Sequence, residues 1–526
     1  MDTELDISIA DPRLFLLIAA ISSLLGSIAF FIHKKINIAV FLLFIFAFSI
    51  FLFAALLDPF LNLWDERFHA LVAKNLLNHP LKPTLYDNPV ITMVYAPWDR
   101  YIIWLHKQPF FLWQIALSIK VFGVNEFAVR FPSVLLCSLL VPIFYRSGKI
   151  LVNQETGYYT AFFVASSFFL IELISGHQGI DHNDAVFFFY VSTSIWAWIE
   201  FIDSGRKYWL LLIAISAGFA ILTKWLVGLV VYAGWAIYIV TDKSKRSDRT
   251  AYIYLAVSLI ITCLIVLPWQ ILIFSRYPAE ARMAFHYNTD HFFKVIEGHE
   301  EPWWYYFANW MNMYGFLSVI LIPAGWVLLF RKIRMGMNVK IAMVALPVIV
   351  YLFFSVARTK MASFPFVISL PVFMGMACVV DYITEKLLLL KLPSFLKRTF
   401  IILLLLLVLG FNIRFGEIIR DHSFQGTKDR YAQILGDNKK IFLRYKSLLP
   451  STSVIFNLRG RTYLDCMFYS GFPAYNFLPS EEQYLELKNK GEYRIVVVNI
   501  ARKDCPDYLK NDASVIVLND AVLSFD

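Results

Sequence analysis

A few short stretches of this chain gather ionisable side chains of types that suit proton transfer and anion binding. WDERFHALVAKNLL (64–77) sets Asp65, Glu66, Arg67 and His69 just past an apolar run that ends at Leu57. On a helix Asp65 and His69, four positions apart, share a face. A carboxylate beside an imidazole serves proton transfer or a divalent cation. WLHKQPFFLW (104–113) adds His106 and Lys107, and GHQGIDHNDA (176–185) adds His177, His182 and Asp184. LTKW (222–225) adds Lys224, the aromatic stretch 288–310 adds His291 and His299, and ARTKMASF (357–364) adds Lys360. Lys107, Lys224 and Lys360 bring charge suited to a phosphate. Singly, each has a plainer explanation. Acids at a helix start are favoured by the helix dipole, Trp and Tyr form interfacial belts, and lysines near helix ends snorkel to the headgroups. Gathered at helix ends on one side of a membrane, they point to chemistry on a phosphorylated lipid.

The membrane follows from composition. The 526 residues are 59% hydrophobic and only 17% charged, against roughly 25% charged in soluble proteins. A span takes roughly 20 apolar residues, and runs fall near 14–32, 38–57, 129–144, 159–174, 185–202, 209–222, 226–240, 251–267, 313–330, 340–356, 361–380 and 398–411. The chain is therefore expected to be a polytopic α-helical membrane protein with about twelve spans, in the range 11–14. The stretch 109–122, bracketed by Pro109 and Gly123, is short for one. Basic clusters at 33–35, 145–149, 204–207, 242–249, 331–334 and 394–398 occupy alternate loops, which places them inside. The segments 58–110, 175–184, Thr223–Lys224, 268–312, 357–360 and everything after about 412 then lie outside. The net charge of +9 is accounted for by these loops and is no sign of nucleic acid. The acidic start MDTELDISIAD, with no small-residue cleavage site after the first apolar run, does not read as a cleavable signal.

From about 425 the pattern changes. TSVIFNL, YRIVVVNI and ASVIVLND read as short buried strands between polar helical stretches, which predicts a small α/β domain. The expected division is thus 1–424, a transmembrane domain whose loops 58–110 and 268–312 form the site, and 425–526, a small outer domain. In that domain Arg459, Arg461, Tyr463 and Tyr469 are candidates for acceptor binding, beside a purely structural role. Cys466 and Cys505 are candidates for a disulfide, although no C-x-x-C pattern supports one. Cys137, Cys263 and Cys378 fall in apolar runs as packing residues.

Several of these stretches also resemble a known family. WDERFHALVAKNLL resembles the Asp-Glu motif that opens the first external loop of GT-C membrane glycosyltransferases, more narrowly of protein O-mannosyltransferases and the lipid A aminoarabinose transferases. HKQPFFLWQIALSIKVFGVNEFAVRFPS is similar to the family's Lys-Pro-Pro-aromatic stretch and its Phe-Gly-x-x-Glu-x-x-x-Arg-x-Pro-Ser segment. GIDHNDAVFFF, LTKWLVGLV and RTKMASFPFVISLP resemble the later motifs in order. The resemblance implies a GT-C fold and a polyprenyl-phosphate-linked sugar donor, with the sugar passing to a glycolipid resembling lipid A, a glycan or a protein. By residue, it implies that Asp65 and Asp184, with Glu66 beside Asp65, are catalytic acids and that Lys107, Lys224 and Lys360 bind donor phosphate. It also implies a divalent metal (zinc, manganese or magnesium) near His106, His69 and either His299 or His291. The chain departs from the pattern at Gln108 for a proline, at Arg67-Phe68-His69 for x-Arg-Tyr, and at Phe364 for a tyrosine.

The expected activity is accordingly that of an inverting hexosyl- or pentosyltransferase in a bacterial inner membrane, with its site and C-terminal domain on the periplasmic side. A flippase or transporter of lipid-linked sugar is the alternative. Transporters carry ionisable groups near the bilayer midplane, whereas these collect at one face. A mere anchor for the outer domain needs no dozen helices.

Overall fold

The computed structural model describes residues 11–91, 102–177, 182–422 and 427–525, apart from the side chains of 420–422 and 427–429. Among these residues all twelve apolar runs are helical. Eight helices are long and apolar enough to cross a membrane: Pro12–Ile32, Ile36–Ala55, Glu126–Leu151, His182–Ser204, Arg249–Arg276, Met337–Val356, Phe364–Leu389 and Ser394–Ile419. A ninth span is the pair Gln154–Ala165 and Phe168–Ser175, bent by 44°. The other three runs form shorter helices, Tyr208–Thr223, Leu226–Val240 and Ser318–Lys332. Pro109–Phe122 is a 14-residue helix starting on its proline, where the missing N–H costs nothing.

The chain divides into two compact units. One comprises Met1–Leu56, Ser133–Ser175 and Ile180–Ile419; the other comprises Leu57–Pro132, Gly176–Gly179 and Arg420–Asp526. The first is the helical membrane unit. Its helices meet through small residues, as membrane helices without a hydrophobic drive between them must. A Cβ on Gly325 would lie 2.5 Å from the carbonyl carbon of Gly375, and one on Gly148 would lie 2.8 Å from the Cα of Gly157. Some buried polar groups tie helices of this unit together: Ser27 Oγ donates to the Ala39 carbonyl at 2.7 Å, and buried Asp381 accepts from Lys332 Nζ at 2.6 Å, Thr156 Oγ1 at 3.0 Å and Asn153 Nδ2 at 3.1 Å.

The second unit joins the first expected external loop to the C-terminal residues. The Asp65–Leu76 and Pro109–Phe122 helices are accompanied by the Thr427–Leu448 helix. A three-stranded parallel sheet follows: β1 (Ser453–Phe456), β2 (Arg494–Val497) and β3 (Ile516–Val517), in the order β1-β2-β3. The register pairs Ser453 with Arg494 and Val496 with Ile516. Parallel neighbours need a crossover, and the Thr462–Ser470 and Glu481–Lys490 helices supply it between β1 and β2. The second of these starts on a capping box of Ser480 and Gln483. All five cysteines are free thiols, so Cys466 and Cys505 are not bridged; Cys263 is exposed, whereas Cys137 and Cys378 pack inside.

Candidate active site

In the second unit the acidic motif begins where the irregular segment 57–64 turns into a helix. Trp64, the residue before that helix, has φ +65° and ψ −127°, a backbone region that costs a non-glycine residue about 1–3 kcal/mol. The turn delivers four neighbouring ionisable side chains in different directions. Asp65 lies 3.4 Å from Lys107 Nζ, with the two side chains 24% and 16% exposed. Glu66, buried, receives a guanidinium fork: Arg130 Nε donates to Oε1 at 2.6 Å and Nη2 to Oε2 at 2.9 Å. Arg67 is fully buried, its Nη2 3.4 Å from Asp465 Oδ2. His69 is also buried, its ring edge-on to Phe111 at 5.5 Å and to Trp104 at 6.1 Å.

Arg130 organises the approach to the motif. Besides its fork to Glu66 it donates to the carbonyls of Asp58 and Phe60, both at 2.7 Å. Glu66 Oε2 in turn accepts the Asn62 amide at 2.5 Å. Asp58 Oδ2 takes Asn62 Nδ2 at 3.2 Å and faces His177 Nδ1 at 3.5 Å. Neither Arg130 nor Asp58 stood out among the candidates, although Arg130 is the arginine of the Glu-x-x-x-Arg segment; its carboxylate partner lies 64 positions upstream and no local spacing marks it.

In the membrane unit Asp184 stands in the first turn of the His182–Ser204 helix, and Lys224 caps the end of Tyr208–Thr223. Their side chains form an ion pair, with the Lys224 ammonium 5.0 Å from the centre of the Phe364 ring. The two stretches 288–310 and 357–364, separate in sequence, are stitched together. Thr359 N donates to the His291 carbonyl at 3.0 Å, Lys360 N to that of His299 at 3.1 Å, and Ile296 N to Thr359 Oγ1 at 2.9 Å. Lys360 is buried, its Nζ donating to the Ala357 carbonyl at 2.6 Å. Burial, reinforced by Arg358, holds its ammonium pKa below the usual lysine value.

The structure thus pairs Asp65 with Lys107 and Asp184 with Lys224. His106 sits 5.6 Å ring to ring from Trp104, His69 packs between aromatic rings, and His299 is exposed. Among the described residues no three His, Cys, Asp or Glu side chains form a group that could hold a metal ion. Tyr463 and Tyr469, candidates for acceptor binding beside a purely structural role, are buried.

Comparison with known proteins agrees with this architecture. Residues 106–269 match the family model described as dolichyl-phosphate-mannose-protein mannosyltransferase. The undecaprenyl phosphate-α-4-amino-4-deoxy-L-arabinose arabinosyl transferase 1 of Pseudomonas fluorescens is 26% identical over 275 residues, 50% of this chain and 48% of the relative. The corresponding transferase of Pseudomonas paraeruginosa is 28% identical over 284 residues, 51% and 48% of the two chains. The chain thus spans about half the length of the curated relatives it matches. Among solved structures, ArnT from Cupriavidus metallidurans bound to undecaprenyl phosphate superposes with a TM-score of 0.59 at 14% identity, covering 86% of this chain and 88% of that one. The oligosaccharyltransferase AglB from Archaeoglobus fulgidus, in complex with a peptide and a dolichol-phosphate, gives 0.54 at 10% identity, covering 87% and 69%. The chain therefore has the GT-C membrane fold of these structures, and about half of its sequence is similar to the arabinosyl transferases.

Proposed function

We propose that the chain is an inverting glycosyltransferase that moves a sugar from a polyprenyl-phosphate donor to an acceptor hydroxyl or phosphate at the outer face of the membrane. The observation that carries this reading is the Asp65–Lys107 pair, a partly exposed carboxylate held beside an ammonium at the head of the motif. In an inverting displacement the bond from the anomeric carbon to the phosphate oxygen breaks as the bond to the acceptor oxygen forms. A carboxylate beside the nucleophile takes its proton. Phosphate is already a good leaving group, so no general acid is required, only cations to hold its charge. Asp65 acts as the base. Lys107 stands beside Asp65, where its ammonium can turn to a donor phosphate. Glu66, saturated by Arg130 and the Asn62 amide, holds the motif in place. The Asp184–Lys224 pair is read in the same way, a carboxylate next to a cation that a phosphate can draw off, and Lys360 adds a further ammonium.

The relatives' names support a donor such as undecaprenyl-phosphate-linked 4-amino-4-deoxy-L-arabinose, and the family description supports polyprenyl-phosphate mannose. The acceptors in this reading are a glycolipid resembling lipid A, a glycan or a protein. Purified protein is to be incubated with each donor and a phosphorylated glucosamine glycolipid, with loss of the lipid-linked sugar followed by mass spectrometry. Consumption of one donor is expected. Consumption of neither, in protein that is folded, overturns the reading.

A further inference from the structure

Six residues lead into Asp65, and side chains from the C-terminal part of the same unit hold five of them. Lys439 Nζ donates to the Pro59 carbonyl at 2.7 Å. Tyr469 Oη accepts the Leu61 amide at 2.9 Å while donating to Glu126 Oε1 at 2.5 Å. Tyr431 Oη accepts the Leu63 amide at 3.2 Å and donates to Asn62 Oδ1 at 3.1 Å. The Arg461 guanidinium lies 4.7 Å from the centre of the Trp64 ring. The segment has no strand or helix of its own to satisfy its backbone, so these polar groups depend on side chains from elsewhere in the chain.

We propose that Tyr431 and Tyr469 are positioning residues, which hold the segment 59–64 so that the strained turn at Trp64 presents Asp65 in its working orientation. Three features carry this. Each phenol bridges an incoming backbone N–H and an outgoing acceptor, a double role that phenylalanine cannot fill. Both hydroxyls work from buried side chains, where losing one leaves an amide without a partner. A left-handed tryptophan persists only where its surroundings over-determine it, and here a ring contact on Trp64 itself and hydrogen bonds on the residues before it supply that constraint. The C-terminal residues are in this view part of the machinery that aims the base.

The inference rests on the reading of Asp65 as general base, and the experiment separates the two. Tyr431→Phe, Tyr469→Phe and the double variant are to be assayed with the donor that wild type consumes, alone and combined with Asp65→Asn. Expected in the double variant are a fall in kcat of tenfold or more, a donor KM within twofold of wild type, and faster hydrogen exchange at the Leu61 and Leu63 amides. In the Asp65→Asn background the same substitutions are expected to lower kcat no further, since residues acting through one group are not additive. A folded double variant with unchanged kcat overturns the inference, as does an equal fall in the Asp65→Asn background. Should the double variant not fold, Arg461→Gln, which takes the guanidinium off the Trp64 ring, is to be read by the same kcat criterion. Failure of the base assignment itself shows separately, as an Asp65→Asn protein with wild-type turnover.

Discussion

In the proposed mechanism the helix start at Asp65 separates chemistry from support at the level of single side chains. Asp65 is partly exposed beside the Lys107 ammonium, whereas Glu66 is sealed in a fork. The two adjacent acids therefore have different fates on mutation. Asp65→Asn keeps the shape and loses the base, so it is expected to fold normally, to bind donor, and to turn over about 10²-fold or more slowly. Wild-type turnover in that variant would remove Asp65 from the mechanism. Lys107→Ala removes a hydrogen bond to an ionised group, about 1.5–3 kcal/mol, and a loss of activity of at least tenfold is expected. Unchanged donor affinity and turnover would take Lys107 out of the site. Arg130→Met does something else. It leaves the Glu66 carboxylate and the Asp58 and Phe60 carbonyls facing an apolar stem, and breaking a buried pair from one side costs about 3–5 kcal/mol. A fall in the unfolding midpoint, absent in Asp65→Asn, is the measurement. The sequence suggested Asp65, Lys107, Asp184 and Lys224 because clustered charges at helix ends in an apolar chain stand out. It did not suggest Arg130 or Asp58, because a buried fork is defined by pairing across 64 positions and leaves no local pattern.

Helices and strands were legible for a related reason. Apolar runs and alternating basic loops report on the bilayer, and every such run proved helical. The strands at 453–456, 494–497 and 516–517 were marked by β-branched clusters. What periodicity could not show is which elements share a unit. The loop after Ala55 and the residues beyond 420 belong together, and the joints are individual side chains. Lys74, in the last turn of Asp65–Leu76, reaches the end of the Thr462–Ser470 helix and donates to the Met467 and Phe468 carbonyls at 2.7 and 2.8 Å, where helices leave acceptors open. Burial lowers its pKa to about 8, with Lys446 adding to the effect. The folded value lies below the unfolded one near 10.5. Between about 8 and 10.5 the unfolded chain therefore binds more protons, and this group's contribution to stability rises with pH. Unfolding midpoints at pH 7.5 and 9.5 are expected to show a gain that Lys74→Met lacks. An identical pH response in the two proteins would place the ammonium in solvent.

For the molecule as a whole, the side of the membrane on which Asp65 works reduces to a parity argument. Between the loop containing Asn88 and the basic loop 242–249 lie three long spans, counting the bent pair as one: Glu126–Leu151, Gln154–Ser175 and His182–Ser204. Two shorter helices follow, Tyr208–Thr223 and Leu226–Val240. The first of these has 16 residues and is roughly 24 Å long at 1.5 Å per residue, less than the roughly 30 Å of a hydrocarbon core. If both cross, the number of crossings is five; if both dip in and return, it is three. Either count predicts Asn88 and Ser244 on opposite sides, and the cluster of Lys243, Lys245, Arg246 and Arg249 predicts a cytoplasmic Ser244. Pro109–Phe122, at 14 residues, is too short to change the count. Asn88 and Ser244 are both exposed, so Asn88→Cys and Ser244→Cys, in a chain lacking its exposed native Cys263, are fair reporters. A membrane-impermeant thiol reagent added to intact cells is expected to label the cysteine at 88 and to reach the one at 244 only after permeabilisation. Equal labelling of both in intact cells would mean that one short helix crosses and the other does not, and would break the assignment of Asp65 to the outer face.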